Sequence, residues 1–218
     1  QPMIDKKTKI TIVYNGEIYN FKELKKKLPE ENFCSKSDTE VLLKLYIKFG
    51  CSFLNMLEGM FSFCIFDKCK NDLYVCRDRV GEKPLYFGAN DHAFNFGSEL
   101  LAVANLSNTK LELDQQGLSD FLHYGYVKGT RTILNGFEKL APGHYITINL
   151  SQNNTYSFVI KKYFSFYPQE EFKGTYAEAK VILKNKLEKT IEEYLAADVE
   201  VGCFLSGGID SSLISAIA

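Results

Sequence analysis

Apolar residues at helical spacing mark one strong helix in the first quarter of the chain. This helix is predicted over residues 39–49, with a capping box formed by Ser37 and Glu40 at its start and Gly50 at its C-terminal end. Its apolar stripe consists of Val41, Leu42, Leu45, Tyr46 and Phe49. Asn20 can cap a second, shorter helix, and Pro29 stops it. Both helices should therefore present one apolar face to a core.

Most of the remaining pattern up to residue 165 is typical of extended strands. Residues 9–13 predict a strand, and Asn15-Gly16 after it predicts a special turn in which chemistry could sit. Further strands are predicted over residues 60–66, 73–78, 85–87, 94–96, 145–150 and 156–164, with turns at 70–72, 90–91 and 152–154 and helices near 98–104 and 116–123. Because short polar turns join many of these strands, antiparallel hairpins should dominate the first domain.

The pattern changes after residue 165. Residues 166–174 form a candidate linker between a first domain over 1–165 and the start of a second over 175–218. The second begins with a helix predicted over 176–195, whose apolar face is Ala179, Ile182, Leu183, Leu187, Ile191 and Tyr194. A compact apolar strand over 199–205, a glycine-containing turn over 206–212 and a helix over 213–218 follow, and this order opens a parallel α/β domain.

Composition and charge exclude several partner classes. Lys plus Arg number 26 against 27 Asp plus Glu, so the net charge of −1 gives no long-range attraction toward nucleic acid or an anionic membrane. No apolar run approaches the roughly 20 residues of a spanning helix. The 6 cysteines form no C-x-x-C pair and mostly lie in apolar runs, which favours reduced, buried thiols in a cytoplasmic protein. The 3 histidines have no metal-ligand spacing.

The segment between the last predicted strand and helix carries the clearest chemistry. It contains Leu205, Ser206, Gly207, Gly208, Asp210, Ser211 and Ser212. Two glycines let the backbone approach an anion, and the serine hydroxyls and the helix N-terminus add donors. Asp210 would repel phosphate unless a cation intervened, so ATP with Mg²⁺ bound at Asp210 is the economical interpretation. The alternative is an ordinary turn in which Asp210 or Ser211 caps the helix. No Walker-type lysine is present.

Several strings together resemble one enzyme family. Residues 206–212 read SGGIDSS and look like the pyrophosphatase loop of enzymes that adenylate a carboxylate. Five preceding strings resemble the glutaminase domain of glutamine-hydrolysing asparagine synthetases: YNGEIYN at 14–20, SDTE at 37–40, DRVGEKPLY at 78–86, FGSE at 96–99 and KLAPGH at 139–144. The order, glutaminase first and pyrophosphatase loop second, separates this family from amidotransferases that share only the first half.

The resemblance implies a fold and a set of site residues. The fold would be an α+β four-layer α-β-β-α sandwich of the N-terminal-nucleophile hydrolase type, followed by the first strand, loop and helix of a parallel α/β ATP-pyrophosphatase domain. The Asn15 side chain and the Gly16 N–H would form an oxyanion hole, while Glu17 and Asp38 would hold glutamine, with Asp38 pairing its ammonium group. The alternative for Asn15-Gly16 is a simple turn, and the alternative for Asp38 is an ordinary acid in the first turn of a helix. Arg79, Glu82 and Lys83 are expected to organise a loop rather than to catalyse.

The sequence departs from the family pattern at its ends. The family places a nucleophilic cysteine at the mature N-terminus, whereas this chain begins at Gln1 and ends at Ala218, inside the helix after the ATP loop. We therefore expect an inactive fragment of a longer enzyme, whose substrates would be L-glutamine, L-aspartate and ATP. The resemblance also admits a homodimer of the full-length protein. Two rivals stay open: an amidotransferase acting on another carboxylate, such as a sugar acid, and a non-catalytic member of the family.

Overall fold

A computed structural model describes residues 1–90, 93–107, 109–150, 156–167, 170–195 and 200–218. The chain divides into two compact units, Gln1–Ser165 and Phe166–Ala218. In the described part of the first unit the strands are β1 Met3–Ile4, β2 Thr11–Ile18, β3 Gly59–Asp67, β4 Asp72–Arg77, β5 Tyr86–Ala89, β6 Phe94–Gly97, β7 Phe137–Lys139, β8 His144–Leu150 and β9 Tyr156–Lys162. The helices are α1 Phe21–Lys26, α2 Asp38–Phe49, a 3₁₀ helix Gly50–Met56, α3 Leu100–Leu106 and α4 Gln115–Tyr124.

Two antiparallel sheets form the frame of the first unit. The larger sheet has the order β1-β2-β3-β4-β8-β9, and the smaller has the order β6-β5-β7. The predicted antiparallel sheet is therefore confirmed, although β1, β7 and the 3₁₀ helix were not predicted. The predicted turn at 152–154 lies outside the described residues, as does Asp91 of the predicted turn at 90–91.

Alternation along the strands separates two of the apolar cores. Phe63 of β3 and Cys76 of β4 belong to the core shared with α1 and α2, whereas their neighbours Cys64 and Val75 belong to the core shared with β5. Successive side chains of a strand point to opposite faces, so the larger sheet is covered on both sides. A third core joins α3 to the region of β7. The strand β2 thus has one face toward the helices and one toward the smaller sheet.

The predicted turn at Asn15-Gly16 is wrong. Both residues lie within β2, where Asn15 pairs with Ser62 and Gly16 with Phe61 of β3. The strand continues because β3 supplies hydrogen-bond partners along its whole length, a long-range pairing that the local dipeptide does not reveal. The glycine serves a close approach of two strands instead of a chain reversal.

In the predicted capping box of α2, Ser37 is confirmed as the cap, whereas the role of Glu40 is wrong. Ser37 is the N-cap, and its Oγ accepts a hydrogen bond from Thr39 N at 3.1 Å. The Glu40 carboxylate turns to the preceding loop, where it accepts from Cys34 N at 2.8 Å and from Ser35 N and Oγ at 2.6 Å each. Burial would raise the pKa of Glu40, but these hydrogen bonds outweigh burial and the pKa is lowered. Glu40 therefore fastens the loop that leads to Asp38.

The expectation that most cysteines are buried is wrong. Cys64 and Cys76 are buried in the first unit, Cys51 is half-buried, and Cys34, Cys69 and Cys203 are exposed. The three exposed thiols lie outside helices and strands, where an apolar sequence neighbourhood does not produce a core.

The described part of the second unit contains two helices, α5 Tyr176–Tyr194 and α6 Ile209–Ile217. Thr175 and Glu178 form a full capping box at the start of α5. The strand predicted over 199–205 is wrong for residues 200–205, which have no regular secondary structure, while Val199 lies outside the described residues. A β-strand exists only through a hydrogen-bonded neighbour, and none of the described residues supplies one here. None of the described residues of α5 is buried, and Ile182, Leu183 and Tyr194 of its apolar stripe are exposed. The helix α6 starts four residues earlier than the predicted 213.

Candidate functional site

The side chain of Asn15 lies at a cavity on the face of β2 turned to the smaller sheet. Its Nδ2 donates to Ser98 Oγ, just after β6, at 3.2 Å, and the residue is exposed. The cavity has a volume of about 190 Å³. Its lining includes Gln1, Val13, Asn15, Cys64, Phe96 and Ser98. An amide donor is thus held by a neighbouring loop at the edge of a small, partly polar space.

Two glycines let β2 and β3 approach each other beside Asn15. A Cβ on Gly16 would lie 2.2 Å from Met60 O, and a Cβ on Gly59 would lie 2.1 Å from Glu17 O. Their φ angles are +156° and +155°, close to the limit of the region that only glycine adopts readily. Gly59 was not singled out from the sequence, because the reason for a glycine there is a contact with a strand more than 40 residues away.

Asp38, at the start of α2, is tied to the strand that carries Asn15. Its Oδ2 accepts from Tyr14 Oη at 2.7 Å and from Ile18 N at 3.0 Å. Glu17 lies half-buried on the same strand. The structure therefore brings Asn15, Gly16, Glu17 and Asp38 to one stretch of β2, although they come from two separate sequence motifs.

A buried carboxylate organises the loop after β4. Asp78 is fully buried, and its Oδ1 accepts from the backbone N–H groups of Val80, Gly81 and Glu82 at 3.1, 2.6 and 3.0 Å. Its Oδ2 accepts from Lys83 N at 2.9 Å and from Phe61 N, on β3, at 3.3 Å. One side chain thus holds a whole loop against the larger sheet.

Arg77 holds the same loop from the carbonyl side. Its guanidinium donates to Lys83 O, Leu140 O and Gly81 O at 2.7 to 2.8 Å. The predicted organisers were Arg79, Glu82 and Lys83. Asp78 and Arg77 hold the loop through their side chains, whereas Glu82 and Lys83 contribute backbone groups. A signal was present in the sequence, since Arg77 and Asp78 directly precede a turn that contains Gly81.

Cys64 is the thiol that lines the cavity, yet it is poorly suited to act as a nucleophile. It is buried in β3, and burial raises its pKa to about 12. A thiol reacts as its thiolate, so at neutral pH only on the order of one molecule in 10⁵ would carry the reactive form. The chemistry of a nucleophile is therefore not supplied by this residue.

In the second unit the segment 206–212 consists of an exposed turn, residues 206–208, and the first turn of α6. Gly207 has a φ of +81°, in the left-handed region, and Gly208 is the N-cap residue with no side-chain hydrogen bond to the helix. Ser211 Oγ contacts Ser206 Oγ at 3.0 Å and donates to Gly208 O at 3.1 Å. The alternative in which Asp210 or Ser211 caps the helix is thus wrong, because the cap position falls on Gly208.

A larger cavity of about 660 Å³ lies elsewhere in the first unit. Its lining includes Phe87, Asp114, Arg131, Phe137 and Glu138, and Arg131 is paired with Asp114 at 3.1 Å. None of the predicted site residues lines it. We place the candidate site along β2 beside the smaller cavity, because Asn15 lines this cavity while Gly16 and Glu17 lie on the same strand and Asp38 is hydrogen-bonded to it.

The described residues offer neither a cluster of metal ligands nor a membrane-spanning helix. No group of three His, Cys, Asp or Glu side chains in this part of the chain is arranged to hold a metal ion. None of the described helices combines the length and apolar character needed to cross a bilayer.

Comparison with known sequences matches two families in order along the chain. The model of the glutamine amidotransferase domain matches residues 1–163, and that of asparagine synthase matches residues 183–218. Asparagine synthetases [glutamine-hydrolyzing] 3 and 2 of Bacillus subtilis are 34% and 33% identical over 95% and 100% of this chain. The corresponding enzyme of Asparagus officinalis is 31% identical over 100%. The chain spans only 33%, 30% and 31% of these three relatives.

Solved structures with a similar fold include two enzymes of low sequence identity. An allosteric regulatory enzyme of purine biosynthesis has a TM-score of 0.52 at 19% identity, covering 91% of this chain and 41% of its own. Glutamine phosphoribosylpyrophosphate amidotransferase from B. subtilis has a TM-score of 0.51 at 18% identity, covering 99% and 46%. These likenesses concern the fold, a mixed α/β arrangement with antiparallel sheets.

Proposed function

The chain belongs to the glutamine amidotransferase domain family, and from that premise we propose that it forms the glutamine-hydrolysing part of a glutamine-dependent asparagine synthetase. The order of the two family matches, amidotransferase first and asparagine synthase second, supports this assignment. The observation that carries it in the structure is the Asn15 amide, an exposed donor held by Ser98 at the edge of a cavity.

The first half-reaction would release ammonia from glutamine. In this proposal the Asn15 amide and the Gly16 N–H stabilise the negative charge that develops on the substrate amide oxygen, while Glu17 and Asp38 hold the amino-acid end. A cysteine at the mature N-terminus of the full-length protein would be the nucleophile, with its own α-amino group as base. The arrangement would be the four-layer sandwich of N-terminal-nucleophile hydrolases.

The second half-reaction would use the segment 206–212, the turn before α6 and the first turn of that helix, to bind the phosphates of ATP. The helix N-terminus after it has no side-chain cap, and a glycine in the left-handed region shapes the turn, which suits close approach of an anion. Asp210 fits Mg²⁺, because its exposed carboxylate lies in the first turn of α6 and magnesium is commonly bound by one or two carboxylates together with phosphate oxygens. Bound there, the ion would neutralise phosphate charge.

Together the two parts would make asparagine. Glutamine and water give glutamate and ammonia, ATP and aspartate give β-aspartyl adenylate and pyrophosphate, and ammonia displaces AMP from the adenylate to give asparagine. A product assay on the full-length protein with glutamine, aspartate and ATP-Mg²⁺ tests this scheme. We expect glutamate, asparagine, AMP and pyrophosphate in equal amounts. Glutamate and AMP formed only with another acid would replace aspartate, and no glutamate under any condition would refute the glutaminase assignment.

Substitution of Asn15 tests the proposed oxyanion hole. We expect Asn15→Ala in the full-length protein to lower kcat for glutamine hydrolysis by roughly 10²- to 10³-fold, because one fixed donor to the developing charge is lost. Asn20→Ala is the matched control, since Asn20 belongs to the same motif but ties Met56 O and Glu58 N at 2.9 and 3.1 Å. The control should lose stability and keep kcat. Equal losses of kcat in both variants would contradict the role of Asn15.

A further inference from the structure

Tyr14 lies on the opposite face of β2 from Asn15, and its hydroxyl reaches the carboxylate of Asp38. Only 7% of Tyr14 is exposed, and its Oη donates to Asp38 Oδ2 at 2.7 Å. We propose that Tyr14 is a positioning residue for glutamine: by holding Oδ2 of Asp38 against β2, it leaves Oδ1 to receive the α-ammonium group. This inference rests on the proposed function and deepens it.

The position of Tyr14 is fixed along the backbone as well as at its hydroxyl. Tyr14 N donates to Gln1 Oε1 and Gln1 Nε2 donates to Tyr14 O, both at 2.6 Å. Burial, and then the neighbouring Asp38, raises the pKa of Tyr14, so its hydroxyl keeps its proton and remains a donor. A donor held in this way fixes the orientation of its acceptor.

The two oxygens of Asp38 have unequal surroundings. Oδ2 receives two short hydrogen bonds, from Tyr14 Oη and from Ile18 N at 3.0 Å. Among the described residues, Oδ1 is approached only by the hydroxyls of its chain neighbours Ser37 and Thr39, at 3.4 and 3.5 Å. Contacts of that length are weak and a charged donor can replace them. Oδ1 is therefore the oxygen with capacity for a ligand.

Fixing the carboxylate before binding should increase selectivity for substrates that carry an α-ammonium group. A free carboxylate must give up rotational freedom when it pairs with the ligand, whereas a held carboxylate has already done so. The effect should be confined to glutamine and should spare an amide substrate that lacks the α-amino group, such as 4-carbamoylbutanoate.

The test compares the two substrates in the full-length protein and in Tyr14→Phe. For glutamine we expect KM to rise about tenfold and kcat to change by less than about twofold, as expected for loss of one hydrogen bond to a charged group that acts in binding. For 4-carbamoylbutanoate kcat/KM should stay unchanged. The substrate ratio, kcat/KM for glutamine divided by kcat/KM for 4-carbamoylbutanoate, is measured within each variant, so any loss of folded protein cancels.

Tyr46→Phe is the matched control. Tyr46 is buried to a similar extent on α2, and its Oη also donates to a carboxylate, Asp67 Oδ2, at 3.0 Å. This variant should keep the substrate ratio of the unmodified protein. If Tyr14→Phe does not fold, Tyr14→Met removes the hydroxyl while filling the space with a flexible apolar chain.

Each outcome decides the proposal. A fall in the substrate ratio in the Tyr14 variant but not in the Tyr46 variant supports it. An unchanged substrate ratio in the Tyr14 variant, whether kcat/KM falls equally for both substrates or for neither, overturns the proposal and leaves the glutaminase assignment standing. If the unmodified protein hydrolyses neither substrate, the proposed function itself fails and the role of Tyr14 fails with it.

Discussion

Replacing Gly16 by alanine is expected to lower the free energy of unfolding of the first unit by about 3–5 kcal/mol, through steric overlap and backbone strain together. The new Cβ would lie 2.2 Å from Met60 O and 2.7 Å from Phe61 Cα, and both are backbone atoms of the paired strand. The two strands would have to separate beside Asn15 to make room. Urea denaturation of the chain, followed by circular dichroism, measures the loss.

Gly125→Ala is the control for this substitution. Gly125 also has a positive φ, +79°, but a Cβ there would meet no atom within 4 Å. Its substitution should cost only about 1 kcal/mol, the usual penalty for a side chain in the left-handed region. Equal losses in the two variants would mean that backbone conformation alone, rather than strand contact, requires glycine at position 16.

Asp78→Asn is expected to lower the free energy of unfolding by about 3–5 kcal/mol, because it leaves buried N–H groups without an acceptor. If the amide oxygen keeps the three N–H groups of residues 80–82, the new NH₂ group faces Phe61 N and Lys83 N, which are both donors. The loop of residues 78–83 should then detach. Hydrogen exchange of the Gly81 and Lys83 amides should accelerate together, which reports the detachment directly.

Asp114→Asn is the matched control for Asp78→Asn. Asp114 caps α4 through Gly117 N at 2.6 Å and pairs with the exposed Arg131 at 3.1 Å. Asparagine is a comparably good N-cap, and an exposed ion pair contributes little, so this change should cost less than about 1 kcal/mol. Similar losses in the two variants would show that removal of a negative charge, rather than the arrangement of acceptors around Asp78, determines the stability.

Local sequence rules succeeded where local interactions decide the structure. The stripe from Val41 to Phe49, ended by Gly50, predicted α2 to within one residue of its start. The predicted helix over 176–195 is confirmed as α5, which its own capping box of Thr175 and Glu178 helps to start. Helices of this kind carry their signals in their own periodicity and within a few residues of their ends, so no distant partner is needed to recognise them.

Local rules failed where a distant strand or loop decides the structure. Asn15-Gly16 has the composition of a turn, but the pairing with Ser62 and Phe61 keeps it extended. Residues 200–205 have the composition of a buried strand, but a strand needs a neighbour and none of the described residues pairs with them. Glu40 was assigned to its own helix, yet the loop at Cys34 and Ser35 takes its carboxylate.

The sequence by itself determined which residue types are available for the chemistry, and the family to which their order belongs. Asn15, Gly16, Glu17 and Asp38 were singled out from two strings that stand about 20 residues apart. Only the tertiary structure decided that they meet along β2, that Tyr14 and Ile18 hold one oxygen of Asp38, and that Gly59 must lie against the backbone of Glu17. The reason is physical: a motif specifies side chains, whereas hydrogen bonds and close contacts between separate strands and helices fix their positions.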